Sequence, residues 1–270
     1  MAERDYVLGT HDEEIERLGV QHRVWRPTVL AAWTRAGIGP GSRVVDVGAG
    51  TGYATLDLAE RVGATGEVIA VERSQRFLRH AEEACRARGF GHVRFQELDL
   101  MTGAIDARDL DAAWCRWVAA FVPEPARIVA MLARALAPGG RAVFHEYGDY
   151  RGWRFAPRRP VFESFVERVI EAWRSSGGEP DVGAELPALL VRGGFRVREV
   201  APRVFASRPG DALWEWPARF IESGLRRLIE LGHADEAWAE RVRAEYRAAE
   251  ADPATVQITP LVLEIIAERA

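Results

Sequence analysis

The chain of 270 residues predicts an α/β fold, a mostly parallel sheet covered by helices on both faces. Three observations carry the prediction. Short apolar runs alternate with helical patterns across residues 43–147, the texture of right-handed crossover units. A glycine-rich turn, Gly48 to Gly52, joins the first run to the helix that follows it. The 48% of hydrophobic residues supply a core large enough to exclude disorder for most of the chain.

Taken in order, Thr10-His11-Asp12-Glu13 fits a capping box, and Ile15, Leu18, His22 and Trp25 follow at helical spacing. Pro27, a favoured first-turn residue, predicts a second short helix that stops near Gly37. The turn Gly39-Pro40-Gly41 comes next. Residues 44–47 read as a buried strand, 53–62 as a helix, 68–71 as the second strand and 75–88 as a helix stopped by Gly89. Residues 93–98 and 110–115 are the third and fourth strands, 124–137 a helix ended by Pro138-Gly139-Gly140, and 142–147 the fifth strand. Beyond it the alternation loosens. An aromatic, Arg-rich loop at 151–159 holds Trp153 and Phe155, and Phe162, Phe165, Val169 and Trp173 mark a long amphipathic helix. Residues 195–200 read as a sixth strand, 217–231 and 235–251 as helices, and 255–266 as a last strand at the far side of the sheet.

Composition removes several functions. The chain has neither lysine nor asparagine, so Schiff-base chemistry, a phosphate-loop lysine and N-glycosylation are excluded. A net charge of -4 gives no general attraction for nucleic acid or an acidic membrane. The two cysteines, Cys85 and Cys115, fall on apolar positions and read as buried reduced thiols, not as a disulfide framework or zinc site. No apolar run approaches the ~20 residues of a membrane span, and Met1-Ala2-Glu3-Arg4-Asp5 lacks a signal-peptide core. The expectation is a cytoplasmic globular protein without a metal.

The chemistry centres on Asp46-Val47-Gly48-Ala49-Gly50-Thr51-Gly52, where a strand enters and a helix leaves. Glycines let the chain turn sharply and let a ligand approach the main chain, while the loop N–H groups face it. A dinucleotide fingerprint would place its third glycine at position 53, where Tyr53 stands. The spacing G-x-G-x-G after an acidic residue resembles motif I of the class I S-adenosylmethionine-dependent methyltransferases. Glu72 ends the second strand beside the loop, where a carboxylate can accept both ribose hydroxyls. Facing a water-filled cleft, it is expected to have no buried partner of its own.

The resemblance covers residues 43–147 strongly and 195–200 and 256–266 loosely. It implies a Rossmann-like, seven-stranded, mostly parallel sheet whose last strand inserts antiparallel. Residues 1–40 would form an N-terminal helical lid and 41–270 the cofactor-binding domain, with a substrate-capping helical insertion at about 206–254. It implies that S-adenosyl-L-methionine is held by Asp46, Gly48, Ala49, Gly50 and Gly52, by Glu72 and Arg73, and by Asp99 and Leu100 at the adenine. Cys115 and Arg116, at the exit of the fourth strand, would line the methionine end, and Gln21 and Tyr6 would reach it from the lid.

The acceptor is less legible. His145, near the C-terminal end of the fifth strand, is the best-placed general base for a hydroxyl acceptor, with a buried structural histidine as the alternative; His11 and His233 are other candidates. Trp153, Phe155, Trp214, Trp216 and Phe220 fall in the regions that cap the acceptor in this family, and could wall an aromatic molecule or close a helical core. The expectation is methyl transfer to a small aromatic or polycyclic metabolite. A methyltransferase of protein or tRNA and a non-catalytic binder of S-adenosyl ligands are the alternatives. A nicotinamide dehydrogenase is opposed by Tyr53 and by the missing lysine of a Tyr-x-x-x-Lys pair.

Overall fold

The computed structural model describes residues 12–270. It opens on one helix, α1 (Asp12–Arg35), where the sequence predicts two. Pro27 lies inside it, on the exposed side together with Arg23, whose carbonyl has no helical donor at the proline. Thr10 and His11 of the expected capping box, and Tyr6, lie outside the described residues.

The alternating segment follows: β1 (Arg43–Val47), α2 (Tyr53–Val62), β2 (Glu67–Glu72), α3 (Gln75–Ala87), β3 (Val93–Glu97), β4 (Leu110–Arg116), α4 (Pro125–Ala135) and β5 (Leu136–Asp149). The second half holds β6 (Arg154–Ala156), α5 (Pro160–Ser175), α6 (Leu186–Arg192), β7 (Phe195–Arg203), β8 (Ala206–Ser207), α7 (Glu215–Glu230), α8 (Glu236–Ala251), β9 (Val256–Ile258) and β10 (Leu261–Arg269).

Seven strands form one sheet in the order β3-β2-β1-β4-β5-β10-β7. The first five run parallel, and β10 pairs antiparallel with both β5 and β7. The last strand is therefore inside the sheet, as the family resemblance implies and not at the far side where the periodicity alone puts it, and β7 is the edge. Residues 255–266 also divide in two. Thr259 and Pro260 interrupt them, and β9 leaves to join β6 and β8 in a separate three-stranded sheet. The loop at 151–159 thus contains a strand that the aromatic pattern concealed.

Val44, Val45 and Val47 of β1 and Val68 to Val71 of β2 are buried on both faces, as a sheet sandwiched between helices requires. Because β1 lies between β2 and β4, connections from neighbouring strands leave to opposite sides there. The crevice beyond the carboxyl ends of β1 and β4 is where open α/β sheets bind ligands. Helix α1 closes over it and packs against α2 and α7.

Candidate active site

Two cavities meet above the carboxyl ends of β1, β4 and β5. The first, of about 440 Å³, is a polar cleft lined by the glycine loop, Glu72, Arg73, Asp99, Leu100, Arg116 and, from α1, Gln21. Each glycine of the loop has a positive φ, but the three have different duties. A Cβ on Gly48 would stand 2.4 Å from Val118, and one on Gly52 2.4 Å from Cβ of Ala81. Those positions are closed by packing of the chain on itself. A Cβ on Gly50 would meet nothing within 4 Å, so that glycine faces open space. Gly52, at the N-cap of α2, does not line the cleft, whereas Gly48, Ala49, Gly50 and Thr51 do.

Glu72 departs from its expected setting. Its Oε2 accepts from the Gly50 N–H at 3.0 Å, and its Oε1 from the N–H groups of Arg73 and Ser74 at 2.8 and 2.9 Å. The carboxylate therefore ties the loop to the end of β2 before any ligand arrives. Each oxygen has two lone pairs, so Oε1 is filled and Oε2 keeps capacity for one ribose hydroxyl, not the two that the sequence leads one to expect. Arg73 is exposed, and its contribution is this backbone N–H. At the next strand end, Asp99 uses Oδ1 to accept from Met101 N–H at 2.8 Å.

Asp46 is buried at the end of β1 and accepts from the Thr55 hydroxyl at 2.7 Å. Burial pushes its carboxyl up to about 6, against the opposing pull of Thr55 and of the Arg116 charge. Cys115 has no exposure and does not line the cleft; burial pushes its thiol well up, and it is a core residue. Its neighbour Arg116 does line it.

The second cavity is apolar. Trp117, Phe121, Tyr147, Trp153, Trp216 and Phe220 give it aromatic walls, and Arg17, Gln21 and Arg227 supply polar atoms. Gln21, Trp117 and Phe121 line both cavities and form their common wall. Gln21 Oε1 accepts from Trp216 Nε1 and from Arg17 Nη1, each at 3.1 Å, so α1 is bonded to α7 at the junction. Trp216 stacks on Trp117 with ring centroids 5.6 Å apart. Trp117 has φ 52, a conformation that costs a non-glycine residue ~1–3 kcal/mol. Its surroundings hold it there: its N–H donates to the His145 carbonyl, and the next two N–H groups donate to Glu146 Oε1 at 2.7 and 2.8 Å. Burial pushes Glu146 up to about 8, against those two bonds. Nothing in the composition signals this buttress. A buried acid two residues after an apolar strand centre was its only trace.

The structure separates the expected substrate residues. Trp153, Trp216 and Phe220 line the apolar cavity. Trp214 does not. It packs on Phe155 and Tyr246 and donates to Glu250 at 3.2 Å, inside the helical core under α8. Trp216→Ala is expected to raise the acceptor KM about tenfold while the cofactor Kd stays within threefold. Trp214→Ala should lower Tm and leave the acceptor KM unchanged. Steady-state kinetics beside a thermal melt reads both, and equal acceptor effects would remove the distinction.

His145 is also displaced from its expected role. It is fully buried, lines neither cavity, and sits 2.7 Å from Glu264 Oε2, packed against Trp25 and Trp114. Burial pushes its pKa down despite the Glu264 bond. Glu264 is itself buried, yet bonds from His145 and Arg203 hold it down to about 2. The geometry is that of a structural pair joining β5 to β10. His145→Ala should cost roughly 1–3 kcal/mol of stability and leave the methylation rate of the folded enzyme within a few-fold of wild type. A 10²-fold loss at unchanged Tm would restore it as the base. His233 does not line the chamber; its Nε2 is 3.4 Å from the Ser175 hydroxyl.

Comparison with known proteins agrees with this geometry. A model of the methyltransferase domain matches residues 44–140. The 2-phytyl-1,4-naphtoquinone methyltransferase of Trichormus variabilis is 30% identical over 170 residues, covering 62% of this chain and 70% of that protein. A ubiquinone/menaquinone biosynthesis C-methyltransferase of Idiomarina loihiensis is 28% identical over 127 residues; the match covers 47% of this chain and about half of that relative, 49%. The crystal structure of an S-adenosylmethionine-dependent methyltransferase from Mesorhizobium loti superposes with a TM-score of 0.55 at 20% identity, over 93% of this chain and 100% of that one, and shares the fold. The chain belongs to the class I S-adenosylmethionine-dependent methyltransferases. Its cofactor is S-adenosyl-L-methionine. Among the described residues no helix is long and apolar enough to cross a membrane.

Proposed function

We propose that the protein transfers the methyl group of S-adenosyl-L-methionine to a small, planar aromatic or polycyclic metabolite. The observation that carries this is the aromatic chamber sharing Gln21, Trp117 and Phe121 with the cofactor cleft. Flat π faces at its walls suit a ring system, and the shared wall brings the acceptor against the cleft's methionine end. The loop from Asp46 to Gly50 would hold the cofactor, with Glu72 on its ribose, Asp99 and Leu100 at its adenine, and Arg116 and Gln21 at its methionine tail. Naphthoquinone and quinone acceptors named for the relatives fit the same chemistry.

The bound cofactor supplies an electrophilic methyl on a sulfonium. The protein's task is to align the acceptor in line with it and to exclude water. Among the described residues, neither a histidine nor a carboxylate lines the chamber. Alignment then carries the reaction, and the preferred nucleophile is one that ionises readily, such as a phenol or enol, or an electron-rich ring carbon. At about 80 Å³ the chamber is well below the ~300–1,000 Å³ of an occupied small-molecule site, so α1 and α7 must part to admit a ring system. The net charge of -4 and the two buried free thiols support a reducing cytoplasm and a partner other than nucleic acid.

Incubation with methyl-labelled cofactor and a panel of phenols, quinols, amines and carboxylates, read by mass spectrometry, tests the proposal. Label on an aromatic acceptor is the expected result. Label only on protein or tRNA would contradict it, and binding without turnover on any substrate would favour a non-catalytic role.

A further inference from the structure

One cluster of polar side chains, with His22 and Asp57 buried and Arg26 at its exposed rim, is used neither by the glycine loop nor by the apolar chamber. On α2, Asp57 Oδ2 accepts from Arg26 Nε at 2.7 Å and lies 3.0 Å from His22 Nε2. His22 and Arg26 stand one turn apart on α1, so both reach the same oxygen. The other ring nitrogen of His22, Nδ1, is 3.2 Å from Arg116 Nη2. A guanidinium only donates, so Nδ1 must accept, and Nε2 carries the proton given to Asp57. His22 is thereby fixed as a neutral imidazole in one tautomer. Burial pushes its pKa below the usual value despite the Asp57 bond, and the Arg116 and Arg26 charges act in the same direction.

Arg116 ends β4 and lines the cofactor cleft. Its Nη1 is buried and has no hydrogen-bond partner. Leaving such a donor unpaired is costly, and a ligand anion would relieve the cost. Of the groups on an adenosyl-methionine ligand, the carboxylate of the tail is the anion. Arg116 stands with Gln21 and Trp117 among the cleft residues, away from Glu72 and Asp99 at the ends of β2 and β3.

We propose that His22, oriented by Asp57, is a positioning residue that holds the Arg116 guanidinium for the cofactor's methionine carboxylate, coupling lid helix α1 to the occupied cleft. This rests on the reading that the cleft holds the methionine tail at Arg116. A histidine fixed from one side by a carboxylate cannot rotate, so the guanidinium it accepts from keeps one plane. Lid displacement would remove that acceptor, and carboxylate capture would in turn favour the closed lid.

The test compares two probes by calorimetry: S-adenosylhomocysteine, and 5′-methylthioadenosine, which lacks the carboxylate. His22→Phe retains a buried ring without either nitrogen. It is expected to weaken S-adenosylhomocysteine about tenfold and methylthioadenosine less than threefold. Arg116→Gln should cost the first ligand about 100-fold and spare the second. The double variant should be no weaker than Arg116→Gln alone, because His22 acts through Arg116. His22→Gln, with one donor and one acceptor, should recover part of the loss. Should His22→Phe fail to fold, Asp57→Asn is read by the same ratio of the two affinities. Equal weakening of both ligands by His22→Phe, or a full additive loss in the double variant, would overturn the relay while leaving the cofactor assignment intact. A wild-type protein that binds neither ligand would instead overturn the cofactor assignment, and the relay with it.

Discussion

Gly50→Val is expected to weaken S-adenosylhomocysteine by at least about 100-fold in a protein whose circular dichroism stays native. Gly50 is the one loop glycine whose substitution separates binding from folding. At Gly48 and Gly52 a Cβ would stand 2.4 Å from Val118 and Ala81, so substitution there disturbs the packing of the loop itself. At Gly50 no atom beyond the adjoining residues lies within 4 Å of the added carbon. A branched side chain would instead occupy the space through which a ligand approaches the loop N–H groups. The backbone is not indifferent, since φ is +54 and a β-branched residue there costs ~1–3 kcal/mol. A lower Tm with an intact spectrum is therefore part of the expected result. Native dichroism with unchanged affinity would mean that the ligand does not cross Gly50.

Glu72→Ala is expected to weaken cofactor binding roughly 10- to 150-fold. The remaining acceptor site on Oε2 offers one charge-assisted bond to a ribose hydroxyl, worth roughly 1.5–3 kcal/mol. The structure adds an effect that the sequence does not suggest. Three backbone N–H groups, those of Gly50, Arg73 and Ser74, lose their acceptor in this variant. Glu72 is half-buried, so water replaces part of what is lost, and the empty protein should lose about 1–2 kcal/mol of stability. Glu72→Gln keeps one accepting oxygen without the charge and should fall between wild type and Ala in both respects. Calorimetry for binding and denaturant titration for stability measure the two effects. Unchanged affinity in Glu72→Ala would leave the ribose without an acceptor at this strand end.

The cofactor half of the site was legible because its chemistry is local in the chain. A glycine loop between a strand and a helix, with acids at the next two strand ends, is defined by spacing alone, and Gly48, Gly50, Glu72 and Asp99 do line one cleft, whereas Gly52 packs on α3. The sheet of residues 43–147 was legible for the same reason: apolar runs buried on both faces leave a periodicity that needs no tertiary information. What depends on distant contacts was not. Cys115 and Arg116 are neighbours, yet the pleat turns one into the core and the other to the cleft. Trp214 and Trp216 are two apart across the start of a helix, and only the packing of α8 assigns the first to the core. His145 looked catalytic from its strand end, and its partner Glu264 lies 119 positions later, on a strand whose place inside the sheet no local pattern reveals. Pro27 suggests a helix start because sequence alone does not say that its face is exposed, where a missing hydrogen bond is tolerated.

The measurement that tests the account most directly is a calorimetric titration of the purified protein with S-adenosylhomocysteine and, separately, with NAD. The glycine spacing, with Tyr53 at the position of the third dinucleotide glycine, requires one site for the adenosyl ligand, with a Kd on the order of micromolar, and no heat from NAD. Micromolar binding of NAD with none of S-adenosylhomocysteine would contradict it.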